Sequence, residues 1–233
     1  ISALLERQID GIMIDALGAA SLTDNLLERT NVVLIDEPPD RWPGVASDAF
    51  GAGRQAAEHL LALGHEQFAF LGPATDIHAI RMREQGFVQT IAKSGFRMSS
   101  DRLRRIPATA AGGQAGMRAL LAIEKRPTAV FCSNDLVAVG ALKTCSVSRV
   151  RVPQDISIVG CDDIELASLT HPELTTIAIP ARELGARAAR LLLHALRGEE
   201  HKGRVESPVQ RTIPSRLVVR GTTAPPPGVA PPG

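Results

Sequence analysis

The 233-residue chain has few aromatic side chains and no excess of charge of either sign. Phe, Trp and Tyr make up 3% of the residues and Tyr is absent, which argues against a surface on which nucleic-acid bases stack. The formal net charge at pH 7 is +1, so the chain lacks the basic excess of a nucleic-acid binder. No run approaches the roughly 20 continuous apolar residues that a membrane-spanning helix requires.

Cysteine is also scarce. Cys132, Cys145 and Cys161 lie in or near apolar runs, and there is no C-x-x-C motif. This pattern is typical of buried, reduced thiols, which favour a cytoplasmic protein. No signal or transit peptide pattern is present, and the chain opens at Ile1 within a helical pattern. We therefore interpret the sequence as either a processed product or a fragment of a longer protein.

The chain contains alternating strand and helix patterns. Short apolar runs rich in β-formers predict strands at 11–14, 32–35, 45–47, 67–71, 103–107, 128–132, 156–160, 171–179 and within 209–219. Apolar residues at helical spacing predict helices at 1–10, 19–29, 50–63, 75–91, 112–123, from 136 onward and at 182–196. This alternation predicts an α/β fold with a mostly parallel sheet. A hydrophobic content of 44% is enough for a sizeable core, and a length of 233 residues fits one large or two modest lobes.

Residues 127–163 form the stretch around which we expect the chain to be organised. Two predicted strands flank one predicted helix, and each strand ends in small polar acceptors, Asn134 and Asp135 after the first and Asp162 and Asp163 after the second. In a right-handed βαβ unit both strands end at the same edge of the sheet, where ligands of open α/β sheets bind. We therefore expect these four side chains to converge on one cleft that binds a polar small molecule. Asn134 is equally suited to cap the following helix.

Other polar residues are candidates for the same kind of site. Asp36 and Asp48 each follow a predicted strand, and a proline-rich loop at 37–44 contains Trp42, which either covers a ligand or packs on the surface. Arg81 and Arg83 lie two residues apart in a predicted helix, so only one of them is expected to face a cleft.

Motifs for catalysis, metals and cofactors are weak or missing. The segment 51–56 matches G-x-G-x-x-A, but no long apolar strand precedes it, so we predict no dinucleotide cofactor. The six His residues are scattered, and we predict no metal site. Asp162 and Asp163 are adjacent at a strand end and diverge, whereas a catalytic carboxylate pair must flank the bond it cleaves. We predict that the protein is not an enzyme and has no catalytic residues.

Several motifs, taken in order, resemble the effector-binding core of the lactose/galactose repressor (LacI/GalR) family of bacterial transcription regulators. They are Glu58-His-Leu-Leu-Ala-Leu-Gly-His65, Arg83-x-x-Gly86-Phe87, Pro127-Thr-Ala-Val-Phe-Cys-Ser-Asn-Asp135 with Ala138-x-Gly140, Val152-Pro-x-Asp-Ile-Ser-Ile-Val-Gly160-x-Asp-Asp163, Pro172-x-Leu-Thr-Thr-Ile177 with Leu184-Gly185, and Leu217-x-x-Arg220-x-Thr222. Together they cover nearly all of residues 1–222.

The resemblance implies a type I periplasmic-binding-protein-like fold, with two Rossmann-like lobes, mostly parallel sheets and an effector between the lobes. It places the N-terminal lobe at 1–64 plus 178–206 and the C-terminal lobe at 65–177 plus 207–222. The Pro- and Gly-rich residues 223–233 are expected to be a disordered tail.

In function, the resemblance implies a ligand-sensing domain of a repressor that acts as a homodimer in the cytoplasm. A small polar effector would control, by allostery, the binding of operator DNA by an N-terminal helix-turn-helix that this sequence lacks. The alternative is a transport-associated periplasmic sugar-binding protein of the same fold. A helix-turn-helix or a secretion signal upstream would discriminate the two.

The resemblance also assigns effector contacts. Arg83 corresponds to a family arginine that hydrogen-bonds the effector, Asp162 to an acceptor for sugar hydroxyls or base N–H groups, and Asn134 to a polar residue at the adjacent strand end. Asp36 and Asp48 correspond to cleft-edge acids in some members. Two positions where relatives often place aromatic rings are Ala111 and Ala181 here, so the pocket is either roomier or uses Trp42 or Phe50. Ile77 and Ala79 replace polar residues of purine-responsive members, so a sugar or sugar acid is favoured.

Overall fold

The computed structural model describes residues 9–15, 30–36, 43–75, 77–197 and 212–228. The chain divides into two compact units. The first unit comprises Ile1–Asp48, Ile77–Ala79 and Pro180–Pro214, and the second comprises Ala49–Asp76, Ile80–Ile179 and Ser215–Gly233. The helix predicted at 19–29, most of the one predicted at 1–10, and Trp42 lie outside the described residues.

The described elements follow the predicted alternation. The strands are β1 (Gly11–Asp15), β2 (Asn31–Ile35), β3 (Gly44–Ser47), β4 (Phe68–Gly72), β5 (Leu103–Arg105), β6 (Ala129–Cys132), β7 (Ser157–Asp162), β8 (Thr175–Ala178), β9 (Thr212–Ile213) and β10 (Arg216–Val218). The helices are α1 (Ala49–Ala62), α2 (His78–Lys93), α3 (Ala110–Leu121), α4 (Asp135–Val147), α5 (Glu165–Leu169) and α6 (Ala181–Leu196). Sequence patterns missed α5 and a 3₁₀ turn at Ser100–Arg102, since both are too short to show a period.

In the first unit, the described strands form a parallel sheet in the order β1-β2-β3-β9. Ile14, Val32 and Leu34 form the buried cluster of its first two strands. Helix α6 packs against β1, β2 and β3 and buries Leu184 and Ala188. The unit therefore has a sheet with at least one helical layer.

In the second unit, the described strands form a sheet in the order β10-β8-β7-β6-β4-β5. All neighbouring pairs are parallel except β10 and β8, which are antiparallel. Strands β6 and β7 are parallel neighbours joined through α4, which confirms the predicted βαβ unit. The α/β fold with mostly parallel sheets is thus confirmed.

Alternate residues of these strands enter two separate cores, as the pleat of a buried parallel sheet requires. One face joins α1 and α2 in a cluster that includes Phe68, Phe70, Phe87, Phe131, Val159 and Cys161. The other face joins α3 and α4 in a cluster that includes Leu71, Met117, Val130, Cys132, Val137 and Ile158. Five of the six Phe residues of the chain make ring contacts on the first face, which explains where the few aromatics are used.

Two glycines bring α1 and α2 into backbone contact. A Cβ added to Gly53 would lie 1.9 Å from the Arg83 carbonyl oxygen, and one added to Gly86 would lie 2.1 Å from the Phe50 carbonyl oxygen. Helices α3 and α4 meet in the same reciprocal way through Gly113 and Gly140. The G-x-G-x-x-A match at 51–56 is therefore explained by helix packing inside α1.

Several predicted boundaries differ from the structure. Helix α1 is predicted in the N-terminal lobe, but it groups with the second unit because it packs on that unit's sheet. Residues 212–214 are predicted in the C-terminal lobe, but they group with the first unit because β9 pairs with β3. The predicted disordered tail begins too early, since Thr223 and Ala224 make hydrogen bonds to side chains of the second unit.

All three cysteines lie buried as thiols, as predicted. Burial raises the pKa of Cys145 to about 12 and that of Cys132 well above its ordinary value. Among the described helices, none combines the length and apolar character needed to span a bilayer.

Candidate functional site

The candidate site lies at the carboxyl edge of the sheet in the second unit. Strand β6 ends at Cys132 and is followed by Ser133 and Asn134, while β7 ends at Asp162. Because Phe131 pairs with Val159 in parallel register, the two strands end beside each other. As predicted, the backbone brings the residues that follow β6 and those at the end of β7 to the same edge of the sheet.

Arg83 links these two strand ends. Its side chain is buried on α2, its Nη1 donates to the Ser133 carbonyl oxygen at 2.9 Å, and the same Nη1 lies 3.1 Å from Asp162 Oδ1. Arg81 is exposed on the other side of the helix, so only one of the two arginines points inward, as predicted. The contact of Gly53 with the Arg83 carbonyl sets the close spacing between α1 and α2 at this point.

Asp162 combines an ion pair with access to solvent. Its side chain retains an exposure of 36% while one oxygen faces the Arg83 guanidinium. Its backbone has a φ of 117° and that of Asp163 has a φ of 57°, so two successive residues with side chains adopt the left-handed region. Such conformations persist where surrounding contacts over-determine them, and they concentrate at ligand sites.

Asn134 caps α4. Its Oδ1 accepts from the Val137 N–H at 2.9 Å, which confirms the capping role, and its Nδ2 donates to the Ala108 carbonyl at 3.3 Å. The side chain is half-buried. Beside it, the Ser133 hydroxyl is buried without a hydrogen-bond partner among the described residues.

The cleft predicted from sequence included Asp135, and this part of the prediction is wrong. The Asp135 side chain is fully buried in the first turn of α4, where Oδ1 accepts from the Thr176 hydroxyl at 2.6 Å and Oδ2 from the Ile164 N–H at 2.9 Å. Removal from water raises the pKa of Asp135 to about 6; the two hydrogen bonds oppose this, and the charges of Asp162 and Asp163 add to it. Asp135 therefore contacts the backbone next to Asp162 and Asp163 from within the core.

Asp163 likewise points to a structural partner. Its Oδ1 accepts from Arg220 Nη2 at 2.6 Å, and Arg220 Nη1 donates to the Leu174 carbonyl at 2.9 Å. The sequence places Arg220 in a motif, Leu217-x-x-Arg220-x-Thr222, that predicts no role for it. The spacing of 57 residues between Asp163 and Arg220 explains why.

The remaining predicted contacts belong to the first unit or lie outside the described residues. Asp36 follows β2 with a φ of 60° and accepts from the Ser47 N–H at 2.9 Å and the Ser47 hydroxyl at 2.6 Å. Asp48 follows β3, and its N–H donates to the Ile213 carbonyl at 2.8 Å. Trp42 lies outside the described residues. The structure thus brings Arg83 and Asp162 together, with Asn134 at the neighbouring strand end.

Within the described part of the chain, no three His, Cys, Asp or Glu side chains are grouped as metal ligands. What the site offers is a guanidinium donor, a partly exposed carboxylate acceptor and an amide. Charge-assisted hydrogen bonds from such groups suit a ligand with neighbouring hydroxyls or a carboxylate.

Residues 57–223 match the family described as periplasmic binding protein-like domain. Over 229 residues the chain is 32% identical to the HTH-type transcriptional repressor CytR of Escherichia coli K12, a match that covers 96% of this chain and 65% of the relative. The chain therefore spans about 65% of the length of this curated relative.

Two solved structures are similar in fold and sequence. A LacI family transcriptional regulator from Mycobacterium smegmatis has a TM-score of 0.80 and 31% identity, with coverage of 97% of this chain and 83% of that one. A LacI family transcriptional regulator from Enterococcus faecium with bound ribose has a TM-score of 0.85 and 28% identity, with coverage of 96% and 83%. The chain belongs to the periplasmic binding protein-like domain family, in the form that LacI family transcriptional regulators contain.

Proposed function

We propose that this chain is the effector-sensing core of a LacI family transcriptional repressor and that its effector is a sugar or sugar acid. The observation that carries the proposal is the contact of 3.1 Å between buried Arg83 and partly exposed Asp162. A guanidinium held beside a carboxylate presents donors and acceptors to neighbouring hydroxyl groups of one ligand. The related structure with bound ribose supports this choice of ligand class.

Regulation in this proposal follows from linkage. An effector that binds one conformational state more tightly than another shifts the population toward the first. The shift would change operator binding by a helix-turn-helix encoded before Ile1, in a cytoplasmic homodimer. The relatives named as repressors support this view over a transport-associated sugar-binding protein and over an enzyme. The sequence encoded upstream of Ile1 tests it, since a secretion signal there would contradict a regulator.

The assignment of individual residues is also part of the proposal. Arg83 and Asp162 contact the effector directly, Asn134 contributes from the adjacent strand end, and Asp36, Asp48 and Trp42 contribute from residues of the first unit. The two units correspond to the two lobes of the family, with α1 reassigned to the second.

A thermal-shift screen against sugars (ribose first), sugar acids, sugar phosphates and nucleobases tests the proposal. A ligand at about 100 times its Kd adds roughly 2.7 kcal/mol of stability, which raises the Tm of a domain of this size by about 5–10 °C. We expect ribose or another sugar to stabilise the wild type, and Arg83→Ala and Asp162→Ala to lose most of that shift.

Glu58→Ala is the matched control, because Glu58 forms an exposed ion pair with Arg54 on α1 within the same unit. It should keep the full ligand-induced shift. Equal shifts in the wild type and both site variants would contradict the site, and a shift by nucleobases alone would contradict the sugar class.

A further inference from the structure

The turn that carries Asp162 is held at two points by distant side chains. Asp162 and Asp163 both have positive φ, a conformation that residues with a Cβ adopt at a cost in free energy. Without external contacts, the segment would relax toward ordinary conformations and its carboxylates would turn away. The contacts that prevent this relaxation therefore determine where Asp162 points.

The first point is the Ile164 N–H, which donates to Asp135 Oδ2 at 2.9 Å. Asp135 is fixed in turn by the Thr176 hydroxyl on β8 and by its place in the first turn of α4. Gly160 on β7 makes room for it, because a Cβ at that position would lie 2.2 Å from Asp135 Oδ1. The Asp135 carboxylate thus connects the backbone of the turn at Ile164 to β8 and to α4.

The second point is the Asp163 carboxylate, which accepts from Arg220 Nη2 at 2.6 Å. Arg220 is held by its Nη1 on the Leu174 carbonyl and by its backbone N–H on the Thr175 hydroxyl at 2.9 Å. The side chains of Arg220 and Asp163 retain only 18% and 21% exposure, so solvent screens this pair weakly. The Arg220 guanidinium therefore fastens the turn to the Leu174 carbonyl, immediately before β8.

We propose that Asp135 and Arg220 are positioning residues, which hold the 162–164 turn so that the Asp162 carboxylate stays against Arg83 and ready for the effector. This inference rests on the proposed function for the identity of the ligand, but not for the geometry of the turn. Neither residue touches the effector. Each acts through the backbone conformation of Asp162.

The test compares ribose binding, by calorimetry, in four variants of the protein. Arg220→Lys retains the charge, but a single ammonium group cannot serve both Asp163 and the Leu174 carbonyl, and Asp135→Ala removes both acceptors. We expect each to raise the Kd about tenfold, the change that corresponds to loss of one well-placed charge-assisted hydrogen bond. Asp135→Asn should stay close to the wild-type Kd, since its oxygen accepts from Ile164 and its NH₂ donates to the Thr176 hydroxyl.

Arg102→Lys is the matched control. Arg102 is also a buried arginine of the second unit that donates to a backbone carbonyl, that of Lys125, at 2.7 Å, and it makes no contact with the turn. We expect a similar loss of thermal stability in Arg102→Lys and Arg220→Lys, but a change of Kd in Arg220→Lys alone. A wild-type Kd in both Arg220→Lys and Asp135→Ala would overturn the proposal.

A second readout requires no ligand. In protein with ¹⁵N-labelled arginine, the Arg83 guanidinium signals report whether its Nη1 remains bound to Ser133 and Asp162. These signals should change in Arg220→Lys and Asp135→Ala and stay unchanged in Arg102→Lys and Asp135→Asn. If ribose and the other sugars fail to bind the wild type, the proposed effector class is wrong, and the arginine spectra decide the positioning role alone.

Discussion

The two edges of the sheet in the second unit are built from different chemistry. At the carboxyl edge, the charged side chains of Arg83 and Asp162 meet above a turn with two positive φ values. At the amino edge, His65 is buried and joins neutral groups: Nδ1 lies 2.9 Å from the Thr128 hydroxyl, and Nε2 lies 3.1 Å from the Ser157 hydroxyl and 2.9 Å from the Ala224 carbonyl. The carboxyl edge therefore has charged side chains and a strained backbone, whereas the amino edge has neutral groups that are hydrogen-bonded to one another.

The amino edge holds the strands and the segment 222–224 together, whereas the proposed effector contact lies at the carboxyl edge. The Ala224 carbonyl is only an acceptor, so Nε2 of His65 carries the proton and Nδ1 accepts from Thr128. Burial lowers the pKa of His65 to about 4, which keeps the ring neutral at pH 7. The amino edge thereby attaches the segment 222–224 to the starts of β6, β7 and β8, while the carboxyl edge is where we propose that the effector binds.

The largest effect on stability should come from removing the imidazole at the amino edge. His65→Leu leaves the Thr128 hydroxyl with only a long contact of 3.5 Å to the Gln67 carbonyl, and it removes the ring N–H from the Ala224 carbonyl, which keeps its bond from the Ser157 hydroxyl. Because a buried polar group that loses its partner costs about 1–3 kcal/mol, we expect a loss of about 2–3 kcal/mol in the free energy of unfolding, measured in urea. Ribose affinity of the folded protein should not change.

Arg83→Met is the counterpart at the other edge. Asp162 remains partly exposed, so water can replace the lost partner, and the variant should lose less stability than His65→Leu but most of its ribose affinity. If both variants lose stability and affinity in the same proportion, the amino edge does not serve stability alone and the carboxyl edge does not serve ligand binding alone.

The dependence of stability on pH should have opposite sign at the two edges. The pKa of His65 falls from 6.5 to about 4 on folding, so the unfolded chain binds the proton more tightly, and stability is lost as pH drops from 6.5 toward 4. The pKa of Asp135 rises from 3.8 to about 6, so the native state binds the proton more tightly, and stability is gained as pH drops from 6 toward 4. We expect each contribution to be about 2 kcal/mol, partly cancelling in the wild type.

Difference curves separate the two contributions. Relative to the wild type, Asp135→Asn should lose stability as pH drops from 6 to 4, whereas His65→Leu should gain it over the same range. Unfolding in urea at several pH values provides the measurement. Difference curves with the same slope for both variants would show that these groups do not titrate as their burial requires.

Much of this architecture was predictable because local pattern and final environment agree. The runs at β4, β6 and β7 are apolar on both faces, as strands covered by helices must be, and the small polar residues after β6 and β7 mark the edge at which we propose that the effector binds. Arg83 could be placed near Asp162 only through the family resemblance. Helical spacing alone showed that Arg81 and Arg83 diverge, without deciding which faces inward.

The parts that sequence did not predict depend on contacts between residues far apart in the chain. Asp135 and Asn134 are both small polar residues just after β6, so the sequence predicts the same cleft position for both. Only the hydrogen bonds of buried Asp135 with Ile164 and Thr176 show that its side chain is a structural acceptor. Composition predicted disorder from residue 223, yet Thr223 and Ala224 are held by His59, His65 and Ser157, more than 60 residues away. Local composition carries no information about such partners.

The smallest expected effect comes from Thr223, the outermost hydroxyl of the amino edge. Its Oγ1 lies 3.0 Å from His59 Nε2 and 3.2 Å from the Thr175 hydroxyl, in a half-buried position. Thr223→Val keeps the shape and removes the hydroxyl, so we expect a loss of about 1 kcal/mol in the free energy of unfolding, measured in urea. Thr90→Val is the control, since the Thr90 hydroxyl bonds only the Gly86 carbonyl one turn back in α2, a contact that adds little to helix stability. Equal losses in the two variants would mean that residue 223 adds nothing specific to the amino edge, and that the attachment depends on the bonds of His65, Ser157 and Thr222.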